Sequence, residues 1–499
     1  MNGGMDSMVT FRSTRGVGVG VTAPQAVMAG IAEDGGLYVP SHVPAMPYGA
    51  WADAFAPAAT RIFIDLLPGF EGISALVEAA YLGRFDSPEV APVLKVGDAF
   101  VTELYHGPTA AFKDIALCAL PGLMAQARAV LAPELRILVL TATSGDTGSA
   151  ALAGFAGVEG IRVIVFYPDQ GVSAVQKAQM VSMPGANLDV CAIRGNFDDA
   201  QRAVKDVFGQ VDPSQAFPGQ RISFSSANSI NIGRLVPQII YYYTSYASLV
   251  RQGAIQPGDQ VNFIVPTGNF GDILAGFMAR MAGLPVAELI CASNENDVLR
   301  VFFESGVYDR RRRLVKTLSP SMDILVSSNL ERLLWYAADG DAAYVRALMA
   351  DLQKKGYYVL HEKARRAIAE VFTGISCTDE DALDVIRRVY REHGYLMDPH
   401  TATAWCAMER RRAAKHNGCP DIVLATASPF KFPGAIAQAL HLPVAADDAD
   451  AVERLVEALG VTPPVSLTGL SRRPVLHRDI IDPAQIGDYV VAKAGDAAW

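Results

Sequence analysis

Lys113 stands at the start of an apolar stretch, where a lysine can act as a nucleophile. It ends the segment 106–113, His-Gly-Pro-Thr-Ala-Ala-Phe-Lys, whose Gly-Pro pair predicts a turn. The apolar stretch that follows runs over residues 115–124. Burial in such surroundings disfavours the charged form of an amine and makes it usable as a nucleophile. Because most lysines are solvated, this position alone does not establish catalysis.

Two glycine-rich turns follow β-branched runs and lead into helix-like segments. They are residues 141–148, Thr-Ala-Thr-Ser-Gly-Asp-Thr-Gly, and residues 266–272, Pro-Thr-Gly-Asn-Phe-Gly-Asp. Each offers unpaired backbone N–H groups at a helix N-terminus, and its small residues let an anion approach closely. Thr143, Ser144 and Thr147 add hydroxyl donors without adding charge. Two such turns at strand ends predict one or two anionic ligands at the edge of the sheet.

These segments, taken together, limit the kinds of cofactor that the protein can bind. Neither turn matches the P-loop pattern or a dinucleotide-binding Gly-x-Gly-x-x-Gly, so nucleotide cofactors are disfavoured. A fourth segment, residues 425–433, places Thr426 at the end of a predicted strand, on the side where the other loops should gather. A lysine with two anion cradles is what a pyridoxal-phosphate enzyme needs: the lysine forms the Schiff base, one cradle holds the phosphate and the other holds a substrate carboxylate.

Composition excludes several other classes of protein. The chain has 499 residues, 51% hydrophobic and 19% charged, which allows a large core and roughly three domains. With a net charge of −9, the protein lacks the broad positive field that nucleic-acid binding requires, and the run Arg310–Arg313 is a local exception. The six cysteines contain no Cys-x-x-Cys pair and the eight histidines no His-Glu-x-x-His, so we expect neither a disulfide framework nor a metal site.

The sequence also predicts a cytoplasmic protein without a membrane partner. No uninterrupted apolar run reaches the ~18–20 residues that span a bilayer, and the first residues carry no apolar signal-peptide core. Residues 1–7 look like a loose leader, with Met8 a plausible natural start.

Strands and helices alternate from about residue 100 onward. This alternation predicts an α/β fold with parallel sheets between helices, and continuous apolar strands such as 163–166 agree with burial on both faces. The predicted strands are 136–141, 162–167, 188–194, 221–224, 261–266, 288–292 and 421–426, and the predicted helices between them include 149–155, 175–181, 198–208 and 272–281.

The same pattern suggests how the chain is divided. Residues 1–98, rich in Pro- and Gly-punctuated short helices, form an N-terminal domain. Residues 99–135 and 220–499 form a large cofactor-binding domain, with a charged helical insertion near 330–415.

Taken together, these motifs resemble the threonine synthase family in its longer form, which belongs to the fold type II (tryptophan synthase beta-like) pyridoxal-phosphate enzymes. The resemblance covers roughly residues 9–440, with the motifs in the family's order. It includes the segments 13–16, 30–40, 106–114, 143–148, 167–168, 175–176, 226–232, 266–272, 319–324, 328–332 and 431–433. Asp146, where generic type II enzymes usually carry Asn, favours this family.

The resemblance implies roles for single residues. Lys113 is implied as the Schiff-base lysine and Thr426 as the partner of the pyridine nitrogen. The implied cradle for the cofactor phosphate is Gly268, Asn269, Phe270 and Gly271. The implied loop for the substrate carboxylate is Thr143, Ser144, Gly145, Asp146 and Thr147. The resemblance also implies that this loop lies on a small mobile subdomain, residues 136–219, that closes over the ligand.

One segment departs from the family's pattern. The family usually has Thr-Ala-His-Pro-Ala-Lys-Phe near its end, and this chain has Ser428 and Phe430 in place of the histidine and the second alanine. The contribution of that histidine is therefore open. Arg15, Arg234 and the run Arg310–Arg313 are candidates for holding the phosphate that leaves.

The resemblance implies conversion of O-phospho-L-homoserine and water into L-threonine and phosphate, by γ-elimination and β-hydration on pyridoxal 5'-phosphate. Two alternatives stay open. One is a phospholyase that releases phosphate, ammonia and a 2-oxo acid from a phosphorylated hydroxyamino acid. The other is a non-catalytic protein that binds the cofactor or an amino acid. The expected partner is the small-molecule substrate, and the expected assembly is a monomer or a homodimer.

Overall fold

The structure, a computed structural model, describes residues 9–16, 19–169, 172–443 and 450–495, so the predicted leader lies outside the described residues. The strands are β1 Phe11–Ser13, β2 Tyr38–Pro40, β3 Val93–Val96, β4 Ala99–Glu103, β5 Arg136–Ala142, β6 Ile161–Pro168, β7 Leu188–Ile193, β8 Ile222–Ser225, β9 Val261–Pro266, β10 Val286–Ser293, β11 Val307–Asp309, β12 Tyr357–Val359, β13 Phe372–Ser376, β14 Asp421–Ala425 and β15 Asp479–Ile481. The helices are α1 Ala23–Ala29, α2 Phe55–Leu66, α3 Ile73–Tyr81, α4 Lys113–Leu131, α5 Asp146–Phe155, α6 Ala174–Val181, α7 Phe197–Gln210, α8 Pro213–Ala216, α9 Ile232–Leu235, α10 Ile239–Arg251, α11 Gly271–Met281, α12 Val298–Ser305, α13 Leu330–Ala337, α14 Ala342–Lys355, α15 Glu362–Ala369, α16 Asp379–His393, α17 Pro399–Ala414, α18 Pro433–Leu440, α19 Ala451–Leu459 and α20 Ile486–Gly495.

The large sheet brings two of the predicted site segments to one edge. Its strand order is β13-β10-β9-β14-β4-β3, parallel throughout except for the antiparallel edge pair β3–β4. Strand β14 lies between β9 and β4, with Ile422 opposite both Phe263 and Phe100. Because parallel strands end at the same edge, the turn after β9 and Thr426 after β14 are neighbours.

The small sheet has the order β15-β7-β6-β5-β8, and every pair in it is parallel. Its central strand β6 is buried along its whole length, which explains its uninterrupted apolar sequence. Two members lie outside the predicted small subdomain of residues 136–219. Strand β8 follows it at once, and β15 comes from the end of the chain, where α20 packs into the same core. The sequence-based division assigns both strands to the large domain. Strand β15 gives no signal for the small sheet, because it is a short, mostly exposed edge strand without an apolar pattern.

The N-terminal region and the helical insertion also differ in part from the domain division that the sequence predicts. Residues 93–96, assigned to the N-terminal domain, form the edge strand β3 of the large sheet. Helices α1, α2 and α3 share one hydrophobic core with α4, so the N-terminal region packs directly on the large domain. The helical insertion near 330–415 also contains β12 and β13, and β13 extends the large sheet. These strands are short and half-buried, which makes their alternation hard to recognise in the sequence.

Helix α4 is the apolar helix at the centre of this core. With 19 residues it has the length and composition of a membrane span, but most of it is buried inside the protein, as in the core helix of a globular fold. Its first residue is Lys113. This long, mostly buried apolar helix thus anchors the candidate nucleophile.

Candidate active site

Lys113 is fixed by hydrogen bonds on both sides of the turn that precedes α4. The Phe112 N–H donates to the carbonyl oxygen of Thr426 at 2.8 Å. The carboxylate of Asp114 accepts from the Thr109 N–H at 2.8 Å and from the Thr109 hydroxyl at 2.7 Å. The turn is therefore locked to the end of β14, and Lys113 lies beside Thr426 at the edge of the large sheet.

The surroundings of Lys113 favour a neutral amine. Its side chain is only 13% exposed, and its Nζ lies 3.6 Å from Oδ2 of Asp146. Burial lowers the pKa of Lys113 below its ordinary value; the Asp146 carboxylate opposes this shift, while the cations of Lys431 and Arg234 add to it. This is the environment that the sequence predicts for an amine nucleophile at this position.

The turn between β9 and α11 presents a row of backbone donors. Phe270 has a positive φ of 64°, and a Cβ at Gly268 would lie 2.5 Å from the carbonyl oxygen of Ser321, so only glycine fits there. The Ser327 hydroxyl donates to the Gly268 carbonyl at 2.7 Å and holds the turn. Among the described residues, the N–H groups of residues 268–271 have no protein acceptor. They form a preorganised anion site at the N-terminus of α11.

Asp272 lies next to this row of donors. Its Oδ1 accepts hydrogen bonds from the hydroxyls of Tyr241 at 2.5 Å and Tyr242 at 3.0 Å. Its Oδ2 is buried and has no partner among the described residues. Burial raises the pKa of Asp272 to about 7, against the lowering effect of the two tyrosine hydroxyls. A carboxyl group with this pKa is about half protonated at neutral pH, which weakens its repulsion of an anion beside it.

The first glycine-rich turn is organised by Thr143. Its Oγ1 accepts from the N–H groups of Gly145 at 2.9 Å and Gly148 at 3.0 Å, and so caps the start of α5. The N–H groups of Ser144 and Thr147 donate to no acceptor among the described residues. They remain available for a carboxylate.

Asp146 lies in the same turn but serves a different purpose. Its carboxylate is occupied by Lys113, Lys431 and Gln176 and does not line the cavity, so only its backbone N–H is left for an anion. A carboxylate side chain would in any case repel a substrate carboxylate.

One cavity joins these parts. It encloses about 800 Å³ between protein atoms, its open mouth included. Its walls bring together the amine of Lys113, Thr426 and both turns; the lining residues from the predicted set are Lys113, Thr143, Ser144, Thr147, Gly268, Asn269, Phe270, Gly271 and Thr426. Gly145 and Asp146 lie behind the wall. The cavity fits pyridoxal phosphate, since a lysine, a hydroxyl group and a row of free N–H groups meet in one place.

The structure also assigns positions to the arginines that the sequence leaves open. Arg234 lines the cavity and its Nε is buried without a partner among the described residues. Burial lowers the pKa of Arg234 to about 10. Arg15 is instead paired with Glu331, at 2.9 Å through two nitrogens. Arg310 and Arg311 line a separate cleft that reaches Asn269. Arg234 is therefore the candidate nearest to the reacting centre.

Two buried residues of the site are missing from the predicted set. His400 lines the cavity; its Nδ1 lies 2.6 Å from Asp398, and its Nε2 accepts from the Ser321 N–H at 3.2 Å. Lys431 is completely buried behind the cavity wall. The Asp-Pro-His run at residues 398–400 is a helix-start signal that could have drawn attention to His400. Ser428, which replaces the family's histidine, caps the turn that carries Lys431.

Family models match the chain in three consecutive parts. The model described as pyridoxal-phosphate dependent enzyme matches residues 85–427. The model for the threonine synthase N terminus matches residues 10–65, and that for the threonine synthase C-terminal region matches residues 401–468.

Curated relatives agree with these matches. A threonine synthase of Pseudomonas aeruginosa is 38% identical over 439 residues, which cover 86% of this chain and 90% of the relative. The threonine synthase of Schizosaccharomyces pombe is 37% identical, covering 87% of this chain and 90% of the relative. Human threonine synthase-like 1 is 36% identical over 90% of this chain, but the chain spans only 62% of that relative's length.

Solved structures give the same result. The pyridoxal-phosphate-bound threonine synthase from Brucella melitensis has a TM-score of 0.84 at 35% identity, covering 98% of this chain and all of the other. The yeast threonine synthase has a TM-score of 0.85 at 32% identity, covering 98% and 99%. The predicted fold and cofactor are thereby confirmed. The chain belongs to the threonine synthase family of pyridoxal-phosphate-dependent enzymes.

Proposed function

We propose that this protein is a threonine synthase that converts O-phospho-L-homoserine and water into L-threonine and phosphate. The observation that carries the proposal is the single cavity in which the amine of Lys113 faces two separate helix N-termini, those of α5 and α11. An amino-acid substrate and a phosphorylated cofactor each bring one anionic group to such a site.

The residues for the cofactor follow from their positions. The amine of Lys113 would hold the cofactor's aldehyde carbon, and the free N–H groups of residues 268–271 would bind its phosphate. The hydroxyl of Thr426 would be the partner of the pyridine nitrogen. Bound there, pyridoxal phosphate supplies an electron sink for negative charge at the substrate carbon next to the amino group. Thr426 is uncharged, so it does not enforce protonation of the pyridine nitrogen as a carboxylate would.

Lys113 is also the base for the reaction. Its amine, with its lowered pKa, would remove the proton from the substrate's Cα and hold it at Nζ. No other lysine lines the cavity among the described residues. The same amine is in place to return a proton to a neighbouring carbon.

The α5 turn orients the substrate. The N–H groups of Ser144 and Thr147, with their hydroxyls, bind its carboxylate. Arg234 supplies a positive charge for the phosphate of the substrate. We further propose that the small sheet, built mainly from residues 136–219, moves with this turn and closes over the ligand. Closure excludes stray water that would otherwise release a 2-oxo acid.

A second candidate stays in view because human threonine synthase-like 1 is about as similar as the threonine synthases, yet is named apart from them. This second candidate function is that of a phospholyase. Such an enzyme would use the same cavity and release phosphate, ammonia and 2-oxobutyrate from O-phospho-L-homoserine. The test supplies purified protein and pyridoxal phosphate with O-phospho-L-homoserine, then quantifies phosphate, threonine and 2-oxobutyrate. Equal phosphate and threonine support the proposal, whereas phosphate matched by 2-oxobutyrate identifies the phospholyase.

A further inference from the structure

Asp146 connects the small sheet to two lysines of the large domain. It lies in the first turn of α5, with its side chain 4% exposed. Its Oδ1 is 2.8 Å from Nζ of Lys431, and its Oδ2 is 3.6 Å from Nζ of Lys113. Lys113 begins α4 and Lys431 follows β14, so both cations come from segments outside the small sheet and α5. One buried carboxylate is thus shared between these two ammonium groups.

Neutral donors complete the surroundings of this carboxylate. Gln176 donates from Nε2 to Oδ1 at 2.8 Å, and the Ser321 hydroxyl donates to Oδ2 at 3.2 Å. Burial alone would raise the pKa of Asp146, but the charges of Lys431 and Lys113 outweigh it and hold that pKa far below its usual range. The carboxylate is therefore ionised at neutral pH.

Lys431 has a narrow set of contacts. Its side chain is completely buried, its ion pair is with Asp146, and its Nζ also donates to the carbonyl oxygen of Thr109 at 2.9 Å. Thr109 belongs to the turn that positions Lys113. A buried ion pair of this kind adds little net stability, because desolvation offsets most of the Coulombic attraction. Its geometry is suited instead to fixing the turn and the charge near Lys113.

Asp146 and Lys431 shift the pKa of Lys113 in opposite directions. Asp146 favours its charged form, whereas Lys431 and Arg234 disfavour it. Among the described residues, further ionisable groups near this amine include Asp114, which follows it in α4, and Asp272 and His400, which line the cavity.

We propose that Asp146 and Lys431 are positioning residues, which tie the small sheet to the turn of Lys113 and together set the fraction of Lys113 that is a neutral amine. This proposal rests on the proposed function in one respect only, namely that the neutral amine of Lys113 serves as the catalytic base. The arrangement itself is tested without substrate.

The first test measures the titration of Lys113 in the full-length protein after removal of the cofactor, with circular dichroism to confirm that each variant is folded. The rate of acetylation of Lys113 by acetic anhydride is followed against pH by peptide mass spectrometry. Asp146→Asn leaves two cations without their shared counter-ion and lowers the pKa of Lys113 by about one unit or more. Lys431→Met removes a repelling cation and leaves Asp146 to Lys113 alone, so it raises that pKa by a similar amount.

Asp189→Asn is the matched control, because Asp189 is a buried carboxylate paired with Arg162 at 2.7 Å within the small sheet. It leaves the titration of Lys113 unchanged. Shifts of the same sign in the two test variants, or no shifts, overturn the proposal. If Asp146→Asn does not fold, Lys431→Met decides alone: a raised pKa of Lys113 supports the proposal and an unchanged one refutes it.

The second test measures how strongly Asp146 links the small sheet to the segments that carry Lys113 and Lys431. In the holoenzyme, amide hydrogen exchange of residues 143–150 becomes at least about tenfold faster in Asp146→Asn and stays unchanged in Asp189→Asn. Unchanged exchange in both variants refutes the tie. Opposite titration shifts, together with no turnover of any phosphorylated amino acid by the unmodified protein, would leave the positioning role intact and overturn the proposed function instead.

Discussion

Gly268→Ala tests whether the turn after β9 holds the cofactor phosphate. A Cβ at this position would lie 2.5 Å from the carbonyl oxygen of Ser321 and 3.4 Å from Cα of Met322, both backbone atoms that cannot rotate away. Ordinary contacts begin at 3.4 Å, so the turn or the facing segment must move by about 0.9 Å. Such overpacking costs roughly 1–3 kcal/mol. If this strain misaligns the free N–H groups, the Kd for pyridoxal phosphate rises about 5- to 150-fold.

The assay is an equilibrium titration of the cofactor-free protein with pyridoxal phosphate, followed by absorbance and checked by dialysis. Gly209→Ala is the matched control: it makes the same chemical change in helix α7, where a Cβ meets nothing within 4 Å, and leaves the Kd unchanged. A folded Gly268→Ala variant with the cofactor affinity of the unmodified protein would refute the assignment of this turn. An equal loss of affinity in both variants would refute the steric argument.

Three other substitutions probe the rest of the cavity. Lys113→Ala abolishes covalent attachment of the cofactor and turnover in a folded protein, measured by absorbance and product assay; normal turnover would contradict the assignment of this lysine. Asp272→Asn changes the pH dependence of stability: because the pKa of Asp272 is raised to about 7, the folded chain holds its proton more tightly than the unfolded chain does, and stability falls as pH rises from about 4 through 7. Urea unfolding of the cofactor-free protein should show that this fall, up to about 4 kcal/mol, is absent in Asp272→Asn, and identical slopes would contradict the shift. Thr143→Val deprives the N–H groups of Gly145 and Gly148 of their acceptor and lowers the free energy of unfolding by about 1–3 kcal/mol, measured by urea unfolding, and an unaltered free energy of unfolding would show that these hydrogen bonds are dispensable.

The sequence predicts the sheets well where strands are apolar on both faces. Strand 261–266 is predicted to the residue, and strand 421–426 ends one residue earlier in the structure. Continuous burial leaves no ambiguity of periodicity in such strands. Strand β15 escapes prediction because it is short and mostly exposed, and it joins the small sheet only through pairing with β7, a contact between distant parts of the chain.

The site is predictable to the extent that its parts are local. The glycine turns and Lys113 have recognisable sequence patterns, and the fold brings them to one cavity because parallel strands end at a common edge. The direction of the Asp146 side chain is not local. It depends on Lys431, which lies 285 positions further along the chain and is buried only in the folded protein. Sequence spacing therefore places Asp146 in the correct turn but does not show that its carboxylate faces two lysines.

The most direct measurement of the central claim is the reaction of O-phospho-L-homoserine in ¹⁸O-labelled water, with mass spectrometry of every product. The account predicts equal amounts of phosphate and L-threonine, with the label in the threonine hydroxyl and none in the phosphate, because elimination breaks the bond between Cγ and oxygen before water adds at Cβ. Label in the phosphate, together with homoserine, would show simple hydrolysis. Unlabelled phosphate with 2-oxobutyrate in place of threonine would show a phospholyase, and either result would contradict the proposed function.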